Sequence, residues 1–161
     1  MTRSPRLLLT LLLGALSVAS PAQAESMSCP SLAEAVQVAA CPSEEELRYT
    51  FLGFCGDGAR LYGGDVLTCA TFENYRAAKN YALWESADGQ FSGYLSCNVA
   101  ADTIHASKAQ RMHAQRKGNL SRLICDYDNE HRLIHRTKAI CKVEAEDCSA
   151  GECRAVCEQA H

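Results

Sequence analysis

The chain has 161 residues, ten of them cysteine, and a formal net charge of −3. The length suits one domain, and the mild acidity, without any long basic tract, argues against a nucleic-acid partner. Cysteine at this density, about 7 % once the leader described next is set aside, predicts a real hydrophobic core reinforced by covalent cross-links rather than a coreless disulfide scaffold.

Arg3 and Arg6 precede an apolar run from Leu7 to Val18, which ends in small residues and Ala22-Gln23-Ala24. That order is the pattern of a secretory signal peptide over residues 1–24, leaving 25–161 as a single disulfide-stabilised domain. The run falls short of the roughly 20 apolar residues that a spanning helix needs, and no later segment competes, so no membrane span is expected.

Three serines stand three residues ahead of a glutamate, Ser31 with Glu34, Ser43 with Glu46 and Ser149 with Glu152. This is the capping-box arrangement, and each marks an expected helix start. After Ser31, Leu32, Ala35, Val36 and Ala39 share a helical face that Pro42 closes. After Ser43, Leu47, Phe51, Phe54 and Cys55 are helically spaced with Gly56 as a stop, although Tyr49, Phe51 and Cys55 also alternate as a strand would. Phe72, Tyr75, Ala78 and Ala82 predict a third short helix. Asp57, between Gly56 and Gly58, reads as a tight turn; too few oxygen ligands accompany it for calcium.

The period then changes from helical to alternating. Asp88-Gly89 is a strong hairpin signal that sets Trp84 opposite Gly93, and Lys117-Gly118 is a weaker one that sets Met112 opposite Leu123. Around Asp128-Asn129-Glu130 a three-residue loop is preferred to a two-residue one. It pairs Cys125 with Leu133, Leu123 with His135, Ile124 with Ile134 and Asp126 with Arg132, whereas the shorter loop would put a basic residue on the core face. The expected fold is therefore α+β: short N-terminal helices, an antiparallel β-meander from about Leu83 to Val143, and a short C-terminal helix from Ser149.

In an oxidising compartment the even count of Cys29, Cys41, Cys55, Cys69, Cys97, Cys125, Cys141, Cys148, Cys153 and Cys157 predicts five disulfides. The glycines between Cys55 and Cys69 make that loop flexible enough to close, so those two are expected to pair. Cys153 and Cys157, four apart on an expected helix, run parallel and should reach different partners. No pair of Cys-x-x-Cys units is present, so neither a metal nor any other cofactor is expected.

Charge is segregated. From Asp102 to Lys142 nine Lys or Arg face four Asp or Glu, while the rest of the chain after the leader is strongly acidic. In the expected register one sheet face carries Arg111, His113, Arg122, Arg132, Arg136, Lys138 and Lys142, broken by Ile124, Ile134 and Ile140, with Arg122 directly opposite Arg136. Like charges across strands cost stability, which an acidic partner would offset; the chain's own acidic N-terminal half is one candidate for that cover. Glu130, His131, His135 and Arg136 form the one compact group of acid, base and anion-binding types. On a strand, however, the two histidines lie roughly 13 Å apart, too far for one metal or a direct proton relay. The function expected from these features is a secreted or periplasmic non-catalytic binding protein, such as an inhibitor or immunity protein for a secreted enzyme. Arg111, Arg122, Arg132, Arg136 and Lys138 would meet an acidic protein in the envelope or outside the cell. The alternative is a small secreted hydrolase acting on a polyanion such as RNA through His131, His135 and Arg136.

Overall fold

The computed structural model describes residues 24–149 and 151–159; the expected leader, apart from Ala24, lies outside them. The fold is α+β, with two antiparallel sheets and a helical lobe. In chain order it runs β1 (Glu25–Ser28), a 3₁₀ turn (Leu32–Glu34), β2 (Val36–Gln37), α1 (Glu44–Cys55), α2 (Gly58–Leu61), α3 (Val66–Cys69), α4 (Phe72–Lys79), β3 (Tyr81–Glu85) and β4 (Ser92–Ser96). It continues with α5 (Ala101–Ala106), β5 (Ala109–Lys117), β6 (Leu120–Tyr127), a 3₁₀ turn (Asp128–Glu130), β7 (Arg132–Thr137), β8 (Ile140–Ala145) and β9 (Arg154–Glu158). The large sheet has the order β2-β3-β4-β7-β6-β5 and the small one β1-β9-β8.

The core lies between the two sheets. Trp84, Leu95, Met112, Leu123, Cys125 and Leu133 from the large sheet join Met27, Ala155 and Cys157 from the small one, with Leu32 and Ile104 closing one end. His105 on α5 steers that closure, its Nδ1 2.9 Å from the Leu32 carbonyl and its ring edge-on to Trp84. The helical lobe has a separate core of Leu47, Cys55, Cys69 and Tyr75, with Phe51, Phe54 and Phe72 packed against it.

Local signals set much of this. The Ser43–Glu46 capping box is formed in both directions and α1 ends at Gly56, so the strand alternative for this segment is not adopted. The third helix is present as α4, capped by Thr71 and shorter than the spacing to Ala82 implied. Asp57 accepts from Ala59 N and caps the short α2. Trp84 faces Gly93 as expected, and the β6–β7 register is the one the three-residue loop dictates, Arg122 opposite Arg136 included.

All five disulfides form: Cys29–Cys125, Cys41–Cys97, Cys55–Cys69, Cys141–Cys157 and Cys148–Cys153, with no free cysteine. The expected Cys55–Cys69 pair is among them, and Cys153 and Cys157 do reach different partners.

Four expectations are corrected. The first helix is a single 3₁₀ turn, in which Ser31 caps Ala33 rather than Glu34. The segment is tethered at both ends, by Cys29–Cys125 and Cys41–Cys97, and Val36–Gln37 is drawn out along β3. The strands are not one continuous meander: α5 carries the chain from β4 to the far edge, and β7 returns to lie beside β4. Met112 faces Cys125 rather than Leu123, because the turn occupies Gly118 and Asn119, with Gly118 in the left-handed region at φ +61°. Finally, the C-terminal helix is β9. Ser149 spends its amide and hydroxyl on Asp147, and Ala155 and Cys157 alternate into the core. A spacing of four between Cys153 and Cys157 keeps both on one face in a strand as well as in a helix, so it could not distinguish the two.

At Gly93 the backbone of β7 leaves β4 no room for a side chain. A Cβ at this position would overlap the Arg132 carbonyl oxygen and stand 2.9 Å from Leu133 Cδ2. Gly93→Ala is expected to lose roughly 1–3 kcal/mol, as overpacked sites do, read as a lower urea midpoint at unchanged slope. An unchanged midpoint would mean that the two strands can part freely.

Candidate basic binding face

Strand alternation makes the outer side of the large sheet the candidate site. Leu123, Cys125 and Leu133 point into the core, so Arg122, Ile124, Asp126, Arg132, Ile134 and Arg136 must point away from it. Three cross-strand rows result. Arg111, Asp126 and Arg132 form the first; His113, Ile124, Ile134 and Ser92 the second; Gln115, Arg122 and Arg136 the third. Ile124 is only 3 % exposed although it faces outward, and the arginines of the flanking rows are long enough to cover it with their stems.

The rows differ in how their charge is met. Asp126 accepts from Arg132 Nε, and its other oxygen lies 3.3 Å from His113 Nδ1, off the line of a hydrogen bond. Arg111 pairs with Glu146 at 3.2 Å, both exposed. Arg122 and Arg136 are exposed, directly opposite each other, and have no acidic partner among the described residues. The acidic N-terminal half does not supply one: Glu44 pairs with Arg48, and Asp57 and Asp65 with Arg60, all within the helical lobe. Lys138 lies at the turn after β7, while Ile140 and Lys142 belong to β8 in the small sheet. These three therefore do not extend the face as the single-meander register implied.

Apolar residues border the arginines on this same side. Tyr81, Leu83 and Glu85 on β3 oppose Ser96, Tyr94 and Ser92 on β4, and Val36 on β2 opposes Glu85. Tyr94 is 71 % exposed, Tyr81 41 % and Val36 56 %. Sequence reasoning stopped at the charges and missed this border. Its signal was the Ser92, Tyr94, Ser96 alternation against Gly93 and Leu95.

The histidine constellation does not assemble. His131 and His135 lie on the core side of β7, opposite in sense to Arg136. His135 Nδ1 lies 2.9 Å from the Gln90 carbonyl and its ring tilts against Phe91. His131 is buried, with Nδ1 3.0 Å from Ser107 Oγ. The Ser107 hydroxyl gives its one proton to the Thr103 carbonyl, so His131 must donate from Nδ1 and its Nε2 is left unprotonated and without a partner. Burial accordingly holds the His131 pKa below the usual histidine range, with the nearby Asp128 carboxylate acting weakly against it. Elsewhere, burial also pushes the Tyr127 phenol up, and that hydroxyl donates to the Pro30 carbonyl at 2.7 Å.

No helix among the described residues is long and apolar enough to cross a membrane. No family model, curated protein or solved structure matches the chain.

The His131 environment has a pH consequence. Its folded-state pKa lies below 6.5 while the unfolded chain titrates near 6.5, so stability is full above that value and falls as pH drops through it, levelling off once the folded form protonates too. Urea midpoints measured from pH 7.5 down to 5 should decline in the parent and stay flatter in His131→Gln. Equal slopes in the two proteins would remove His131 from the account.

Proposed function

We propose that the protein is a secreted or periplasmic non-catalytic binding protein that holds an acidic protein partner against the outer face of its large sheet, as an inhibitor or immunity protein for a secreted enzyme would. The observation that carries this reading is the Arg122–Arg136 pair: two exposed guanidinium groups held directly opposite on neighbouring strands with no carboxylate partner among the described residues. The sheet beneath them is pinned by disulfides, so the face keeps its shape and little ordering cost falls on association. Tyr94 and Tyr81 add exposed aromatic area at the Arg132 end of the same face, and aromatic residues and arginine are the types enriched at protein interfaces. Arg132 contributes less free charge because Asp126 already engages it. The burial of His131, and the separation of both histidines from Arg136 by the thickness of the sheet, weigh against the polyanion hydrolase.

The test compares the parent with Arg122→Glu/Arg136→Glu as immobilised baits for the envelope and extracellular proteins of the source organism. The parent should retain an acidic protein that salt releases and the double variant does not hold. With the purified partner, the association rate should fall as salt rises in the parent and lose most of that dependence in the variant, since screening acts over about 8 Å at physiological salt. Arg122→Thr alone should leave stability unchanged or slightly raised, because it removes a like-charge contact. Identical retention by both baits would reduce the face to solvated surface, and cleavage of RNA by the parent but not by His131→Gln/His135→Gln would replace the binding protein with an enzyme.

A further inference from the structure

Two disulfides stand against each other at the edge of the core. The sulfurs of Cys29, Cys148 and Cys153 all lie within 4.8 Å of one another, although Cys29 is bonded to Cys125 and Cys148 to Cys153. Such a cluster could suggest a metal site, but every thiolate in it is consumed by a bridge. Its geometry suits sulfur exchange instead.

The register says where an exchange would end. β1 pairs with β9 through Ser28 opposite Arg154. The ladder ends there, but continuing its register by one step would set Cys29 against Cys153, in keeping with the closeness of their sulfurs. A disulfide between directly opposed residues is already part of this sheet, since Cys141 and Cys157 are cross-strand partners on β8 and β9 and are bonded. Cys153 thus lies between its present partner in a short surface loop and a second one across the strand.

Access is asymmetric. Cys148 is half-buried in that loop, among exposed Asp147, Ser149 and Gly151, while Cys153 is 1 % exposed and Cys125 fully buried. Within the Cys148–Cys153 bridge an incoming thiolate therefore reaches Cys148 rather than Cys153, and Cys29, half-buried as well, is the sulfur that a released Cys153 thiolate meets.

We propose that Cys148 is a thiolation site for low-molecular-weight thiols, and that its modification transfers the Cys29 bridge from Cys125 to Cys153. The external thiolate bonds to Cys148 Sγ, and the Cys148–Cys153 bond breaks with its electron pair leaving on Cys153. The Cys153 thiolate then bonds to Cys29 Sγ, the Cys29–Cys125 bond breaks, and Cys125 leaves as a thiolate that takes a proton from solvent. Disulfides are conserved in number, so no further oxidant or reductant is needed. The structural result is specific. Cys29–Cys125 is the one disulfide that joins the small sheet to the large one, whereas Cys29–Cys153 lies wholly within the small sheet. Thiolation at the surface thereby uncouples the two sheets covalently.

The test exposes the folded protein to reduced glutathione at pH 8, quenches with acid, alkylates under denaturing conditions and maps the peptides by mass spectrometry. The expected products are glutathione on Cys148, a Cys29–Cys153 linked peptide and alkylated Cys125. Cys148→Ser should rearrange without any added thiol, giving the same Cys29–Cys153 link and a free Cys125. Cys148→Ser/Cys153→Ser should slow glutathione-dependent labelling of Cys125 at least tenfold. Opening of Cys148–Cys153 with Cys29–Cys125 intact, a Cys29–Cys148 link in its place, or undiminished Cys125 labelling in the double variant would each overturn the proposal. The parent mapping decides the matter even if a variant fails to fold.

Discussion

The pleat of β6 is the constraint on which both halves of the structure depend. Leu123, Cys125 and Tyr127 turn inward from this strand, to the core, to the bridge with Cys29 and to the hydrogen bond with Pro30. Because side chains alternate, the same strand has no choice but to send Arg122, Ile124 and Asp126 outward. The basic face is therefore the reverse side of the core, and its spacing is as rigid as the packing behind it. A register slip of one residue would exchange the two faces, and the covalent anchor at Cys125 forbids it.

Placing two arginines opposite each other works against the fold, mildly, at a site where the strands are otherwise well matched. Beyond the intervening Ile124–Ile134 row, the same face shows the alternative: Asp126 sits between Arg111 and Arg132 and engages the latter directly. On either side of the Ile124–Ile134 row, one row is electrostatically complete, with exposed Tyr94 at its β4 end, and the other is left open. Local solubility alone would be served as well by a mixed pair, and the contrast between the two rows is what the proposed acidic partner would account for.

What could be read from the residues depended on the distance over which each signal acts. The β6–β7 register was legible because a wrong loop length buries a charge, and the penalty can be seen in Arg132 and Asp126 themselves. The Asp88-Gly89 turn and the Ser43–Glu46 cap act within a few residues and were equally legible. The Gly118 turn was found but displaced by one position, which shifted Met112 by two along β6 and left its face correct. Strand order was not legible, since nothing local to β4 states that β7 will lie beside it; Gly93 marks the contact only once Arg132 is known to be its neighbour. Residues 31–39 satisfy a helical pattern that the flanking disulfides override, and Cys153 with Cys157 fits both periods. Of the candidate site, the arginines and the opposite facing of His135 and Arg136 were legible from alternation, whereas the tyrosine border and the burial of His131 required the sheet itself.

The helical lobe has its own aromatic core, in which Phe51 and Phe54 pack on Tyr75, Arg48 lies over Phe72, and Arg60 and Lys79 lie over Phe54. Its covalent links to the sheets are Cys41–Cys97 and the chain itself at both ends, from β2 into α1 and from α4 into β3, and it closes on itself through Cys55–Cys69. A unit with its own core and its own bridge is expected to open and reclose while the sheets stay intact, as a separate cooperative tier. Amide protons in α1 and α4 then exchange through the lobe's own local opening, and those of β6 only through global unfolding. A chain of this size thus carries one part built to yield and one that holds its basic face fixed.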